Sequence, residues 1–370
     1  MAGEIWQRFA SPILVGFLFN LAVESSRLFI PLLTRDLGGT DFDVGLVGAA
    51  NGLAFFATAF IFGRQADISG RLRFVRIGLA LSALAFLSQL LAWDVTSLLV
   101  VRTAVGFTLG ITTGTLLVFA YEDRGKVGRF VSAAALGWIF GDLAAAFLKE
   151  YHLLFLLSFV SCAAAFFLSL RLQELNRRLV PQAPRFFRVI RQNRAVYVPV
   201  FLRHLGASAV WIIFPLFLRE LGADKFWIGL VGATNFAGQV VLMSLLERFA
   251  GVGLFRLGLF LSGTVFLLYT VLTHFFQVFP VQVMLSAAWS ALYIGALVLL
   301  LRSGEERGTA TGILMANINL CLAAGPFLGG LLASLWDYHA PMYAAAVLSF
   351  AGLLWAPKRP SVVSRRLSGA

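Results

Sequence analysis

The chain has 370 residues, 59% of them hydrophobic and 13% charged, with a mean hydropathy of +0.85. Soluble domains carry about one quarter charged residues, so this composition cannot clothe a water-exposed surface. A net charge of +12 would suit a nucleic-acid ligand, but the placement of the basic residues along the chain argues for membrane orientation instead.

Twelve apolar spans are expected, at roughly 11–33, 42–63, 74–93, 95–119, 130–148, 153–170, 196–218, 226–246, 256–275, 281–301, 310–334 and 340–356. Runs of roughly 18–25 apolar residues cross a hydrocarbon core of about 30 Å. Without water in that core the spans must be helices. Leu153–Leu170 and Val281–Leu301 lack the two-residue alternation of barrel strands. The first run, Pro12–Leu33, is too long for a secretory signal, and no small-residue cleavage site follows it.

Polar residues interrupt particular spans. An ionised side chain at membrane depth costs at least about 2.5–3.5 kcal/mol, so each is a candidate site residue. Span 1 carries Asn20, Glu24 and Arg27 at spacings that share one helical face. Span 2 holds Asn51. Span 4 holds Arg102 and then Gly106, Gly110 and Gly114, which read as a close-packing seam. Span 5 holds Trp138 one turn before Asp142. Arg102 and Asp142 fall at similar depth and are placed to pair. With Glu24 and Arg27 they make a neutral cluster. It is expected either to bind helices as static ion pairs or to line a cavity where one carboxylate exchanges a proton. Span 7 carries Arg203, which either snorkels or faces a cavity, and His204, a wall residue or a proton-sensitive group. Asn235 in span 8 and Asn317 in span 11 are expected to hydrogen-bond between helices.

With the N-terminus in the cytoplasm, cytoplasmic segments hold 21 Lys and Arg, external ones 4 (Arg35, Lys149, Arg219, Lys225), and spans the remaining 5. That asymmetry is the positive-inside bias, and it places both termini in the cytoplasm. The longest polar stretch, 171–195, has seven Arg, two Pro and one acid. It reads as a basic cytoplasmic linker between an N-terminal six-helix bundle, 1–170, and a C-terminal one, 196–356, followed by a cytoplasmic tail, 357–370.

The halves repeat. Shifted by 184 residues, Pro31–Asn51 overlies Pro215–Asn235 with twelve of 21 positions identical. The same offset relates Glu122 to Glu306, Gly128 to Gly312 and Gly141 to Gly325. Duplicated halves are an architecture of secondary transporters. Cys162 and Cys321 lie within spans and read as small buried hydrophobes. There is no His/Cys metal spacing, nucleophile elbow or phosphate-binding loop, and no soluble domain large enough for ATP. The reading is therefore not an enzyme, with no cofactor, no metal, no nucleic acid and no ATP, and any uphill movement driven by an ion gradient or a second solute.

After span 2 the chain reads Gly63-Arg64-Gln65-Ala66-Asp67-Ile68-Ser69-Gly70-Arg71-Leu72-Arg73. This resembles the signature loop of the major facilitator superfamily, with Ile68 where a basic residue is usual. Gly63 is expected to admit a close helix approach, Asp67 to accept from a nearby helix start, Gly70 to make a tight turn, and Arg71 and Arg73 to reach acids or lipid phosphates. Arg102 to Gly110 is similar to the Arg-bearing span-4 motif of proton-coupled members, with Val105 where Gln is common. Gly325-Pro326-Phe327-Leu328-Gly329-Gly330 in span 11 looks like the motif that drug antiporters carry in span 5, where this chain has Gly141-Asp142.

The resemblance implies an all-α polytopic membrane protein of twelve transmembrane helices in two pseudo-symmetric six-helix bundles. It implies a small-molecule substrate, lipid and proton partners, a cell-membrane location, and alternating access around a midplane cavity. The function expected is proton-coupled export of small organic or amphipathic solutes. The rivals are an organic-anion uniporter or exchanger and, from another class, a lipid scramblase or a non-transporting membrane scaffold.

Overall fold

A computed structural model describes residues 12–124, 127–173, 186–304 and 306–358, with the side chains there except those of residues 64, 67, 68, 121–124, 127 and 128. The tail from 359 onward and linker residues 174–185 lie outside the described residues, as do the side chains of Asp67, Glu122 and Lys126.

The described chain is helical. The elements are α1 (Pro12–Arg27), α2 (Ile30–Asp36), α3 (Asp41–Ser69), α4 (Arg71–Ser88), α5 (Val95–Arg124), α6 (Val127–Leu148), α7 (Tyr151–Ser169), α8 (Phe186–Glu220), α9 (Lys225–Leu246), α10 (Val252–Tyr269), α11 (Val278–Leu301), α12 (Arg307–Leu335) and α13 (His339–Trp355). α1 and α2 form one span broken at Leu28–Phe29, where Pro31 enters the first turn of α2 and cannot donate back to Arg27. Among the described residues eleven stretches are long and apolar enough to cross a membrane, and α13 is a shorter apolar helix of 17 residues.

The chain divides into two compact units, one of residues 1–180 with 218–233, the other of 181–217 with 234–370. In the first, α1 packs on α6 and α7, α3 on α5, and α4 on α5 and α7. Val15, Phe19, Leu79, Phe86, Leu116 and Phe119 lie in its buried core. In the second, α10 packs on α11 and α13 around Phe255, Leu259, Leu292 and Leu300.

Two expectations about connections change. The signature segment is helix through Ser69, a single turn residue, and helix again from Arg71. Gly70 sits at φ +99°, a left-handed backbone that favours glycine. Gly63 faces open space, since an added Cβ would meet nothing within 4 Å, so it admits no close neighbour. The stretch expected as linker up to residue 195 is already helix from Phe186, and Asn193 (φ −107°, ψ 15°) breaks it before the apolar span.

The sequence repeat is also a conformational repeat. Gly38 and Gly222, 184 apart, adopt φ of +84° and +90°. In each turn the glycine N–H donates to an arginine carbonyl, Arg35 or Arg219, at 3.0 Å. The next N–H donates 2.9 Å to Thr34 or Leu218.

Candidate functional site

In the first unit the span charges gather where α1, α5 and α6 meet. Glu24 is buried. It accepts from Arg27 Nε at 3.1 Å and Nη2 at 2.5 Å, a two-pronged pair on one helix face. The Arg27 side chain is 48% exposed, against 4% for Glu24. Gly141 brings α6 against this point: a Cβ there would lie 2.7 Å from Glu24 Cβ and 3.0 Å from Ser25 N.

Asp142 follows in sequence and is buried. Neither carboxylate oxygen has a hydrogen-bond partner among the described residues. Glu24 and Arg27 are the principal charges acting on it. Gly232 of α9 makes room for the carboxylate, for a methyl there would overlap Asp142 Oδ2.

Arg102 does not pair with Asp142. Its Nη1 donates to Gln89 Oε1 at 2.9 Å and Ser26 Oγ at 3.3 Å. Its carbonyl accepts from Asn51 Nδ2 at 2.8 Å, tying α3 to α5. Gly106 and Gly110 continue that seam against Asn51 and Phe55–Thr58, while Gly114 meets nothing within 4 Å and stands outside it. Asn20 turns back to its own helix, donating to the Gly16 carbonyl at 2.8 Å. Trp138 is half-buried on α6. Of the signature residues, Arg71 is buried at the start of α4 and Arg73 is exposed.

In the second unit Arg203, Ser262 and Trp289 lie near the middles of α8, α10 and α11. Arg203 is buried rather than snorkelling. Its Nε donates to Ser262 Oγ at 2.9 Å, and its guanidinium lies 5.0 Å from the Trp289 ring centre and 5.7 Å from that of Phe266. His204 is tilted against the same Trp289 at 5.1 Å, with both ring nitrogens buried and unpartnered. Trp289 in turn stacks on Tyr293 at 5.4 Å.

Asn235 donates to Gln282 Oε1 at 3.2 Å and accepts from Gln239 at 2.5 Å, and the Tyr269 hydroxyl donates to the same Gln282 oxygen at 3.1 Å. Asn317 donates to the Tyr197 carbonyl at 2.8 Å, joining α12 to α8. Gly325 and Gly329, beside the buried Pro326 and Gly330, press α12 onto Ser208 and Ala209 of α8. A surface depression of about 640 Å³, lined by Phe187, Arg188, Arg191 and Gln192, lies at the start of α8 and includes none of these residues.

Sequence reading missed Gln89, Ser262, Gln282 and Trp289. The amides were detectable as lone polar residues in apolar runs, but Ser262 and Trp289 carried no signal apart from their partners. Among the described residues no group of three or more His, Cys, Asp or Glu could hold a metal.

Long apolar helices carrying a buried ion pair and hydrogen-bonded amides are those of a polytopic membrane protein. The model of the Major Facilitator Superfamily matches residues 13–205 and again 196–370, so the chain belongs to that family. Among curated proteins none matches its sequence. Similar solved structures include two of the nucleoside transporter NupG, one of them a mutant. The mutant shares 15% identity and a TM-score of 0.77, covering 94% of this chain and 99% of that one. The other shares 14% and 0.77, covering 93% and 98%. A bacterial homologue of the human lysosomal transporter Spinster, in an inward-facing and unoccupied conformation, shares 14% and 0.69, covering 95% and 94%. At these identities the likeness is one of fold.

Proposed function

We propose that this chain is a proton-coupled secondary transporter of small organic solutes, working by alternating access in a cell membrane with both termini cytoplasmic. Export of an amphipathic solute against an inward-moving proton is the direction proposed. The observation that carries proton coupling is the buried carboxylate of Asp142, which no donor among the described residues reaches and which faces a Glu24 carboxylate already paired with Arg27. A buried anion without a donor is costly, and a proton supplies the hydrogen it lacks. Glu24 is the more central acid by sequence position, but its two bonds from Arg27 leave Asp142 as the group that gains most from a proton. A change in the distance between Arg27 and Asp142 during the cycle would stabilise the charged form in one state more than the other, which coupling requires.

The test is transport in proteoliposomes under an imposed pH gradient, over a solute panel that includes nucleosides and amphipathic amines. Asp142→Asn is expected to cut gradient-driven accumulation at least tenfold while leaving solute counterflow in place. Full accumulation by that variant overturns the coupling role. Loss of both activities with intact folding makes Asp142 part of the solute path instead.

A further inference from the structure

The second unit contains a buried cation that its own acids cannot neutralise. The acidic residues of 181–217 and 234–370 are Glu247, Glu305, Glu306 and Asp337. All four fall outside α8, α10 and α11, the helices that carry Arg203 and its partners. Arg203 therefore sits near the middle of α8, about ten residues or 15 Å beyond the Asn193 break, with no acidic residue of its unit in α8, α10 or α11. Arg102, its counterpart in cost, shares its unit with Glu24 and Asp142 and has two oxygen partners. Among the described residues Arg203 has one, Ser262, plus the faces of Trp289 and Phe266. Two aromatic faces offset part of the charge and leave the guanidinium fork without its best-matched partner, a planar anion. Intramembrane arginines pair with an opposite charge or mark a substrate path.

We propose that Arg203 binds the anionic group of the transported solute, a carboxylate or phosphate, and that Trp289 and Tyr293 stack against a flat apolar body joined to it. His204 supports this independently. It lies against the same ring at 5.1 Å, is buried, and has neither nitrogen engaged, so it offers a donor beside the fork. A charged fork, one spare donor and a stacked aromatic pair make a small-ligand site of few polar groups on an apolar wall. The inference rests on the transporter reading and does not require proton coupling.

The test is equilibrium binding by intrinsic tryptophan fluorescence and calorimetry on the full-length chain in detergent at fixed pH. The probes are benzoate, indole-3-acetate, phenyl phosphate and the neutral isostere benzamide. At least one anion is expected to bind ten times or more tighter than benzamide. Arg203→Gln should abolish that preference, Arg203→Lys should keep part of it, and Trp289→Leu should weaken every aromatic probe. If no anion outbinds benzamide, or if a folded Arg203→Gln binds as the native chain does, the site is refuted. Should Arg203→Gln fail to fold, the anion-to-benzamide ratio of the native chain and the Trp289→Leu titration still decide. Because no gradient is applied, anion binding retained by Asp142→Asn with lost uphill transport would separate this site from the coupling reading.

Discussion

Gly141 and Gly325 occupy matched positions 184 residues apart, and each presses its helix onto a matched target. For Gly141 the neighbours are Glu24 Cβ, Ser25 N and the Leu21 carbonyl; for Gly325 they are Ser208 Cβ, Ala209 N and the Leu205 carbonyl. Every neighbour is related by the same offset. Packing has been kept where chemistry has not: Glu24 becomes Ser208, Arg27 becomes Trp211, Arg102 becomes Ser286 and Asp142 becomes Pro326. The helix ends follow the same rule. Arg76 donates to the Ser169 and Leu172 carbonyls, and Arg256 to the equivalent Leu353 and Ala356 carbonyls, although the donor has moved by one turn. Close backbone approach tolerates no side chain and so resists divergence. A polar position tolerates any residue whose partner changes with it. One half ends with two acids and two arginines in the interiors of its spans, the other with one interior arginine among amides and aromatics.

The strongest way to break this comparison is to add bulk at the shared seam. Gly141→Val and Gly325→Val are each expected to abolish folded protein, read as recovery of a monodisperse gel-filtration peak after extraction. Gly114→Val, which meets nothing within 4 Å, should be recovered like the native chain. Tolerance at one seam glycine and not the other would show that the halves no longer share their packing.

A smaller effect distinguishes the matched asparagines. Asn51 makes one side-chain bond, to the Arg102 carbonyl, whereas Asn235 bonds both Gln282 and Gln239. Asn51→Ala should cost about 0.6 kcal/mol and Asn235→Ala up to about 1.7 kcal/mol, the range found for hydrogen bonds between membrane helices. Thermal unfolding in detergent measures both, and equal losses would dismiss the Gln282 network as a source of extra stability.

The smallest effect concerns a pair that the repeat does not keep. Lys149 pairs with Asp224 at 2.8 Å, and Ala333 stands at the matched position. The hydrogen bond from Lys149 holds the Asp224 carboxyl below its ordinary value of 3.8. A lowered native value means the pair contributes fully above that ordinary value and is lost as pH falls through the lowered one. Both side chains are about half exposed, so the contribution should sit at the low end of about 0.2–1 kcal/mol. Asp224→Asn should flatten the acid limb of a stability-versus-pH curve by that amount; an unchanged limb would assign it to other carboxylates.

Much of this was present in the sequence. Apolar runs of spanning length, the 184-residue repeat, the turns at Gly38 and Gly222 and the polar interruptions of spans are all local patterns, and local patterns are what chain order records. The sequence also placed Glu24 and Arg27 on one face, because three residues along a helix fixes their geometry without help from other elements. Tertiary structure alone decided the partners drawn from distant segments. Arg102 and Asp142 lie at similar depth, but depth leaves rotation about each helix axis free, and packing turned Arg102 toward Gln89 and Ser26. The same rotation left Asp142 unpartnered beside Gly232 and set Arg203 between Ser262 and two aromatic rings. Periodicity along a chain specifies which face a residue occupies, and only the packed bundle specifies what that face meets.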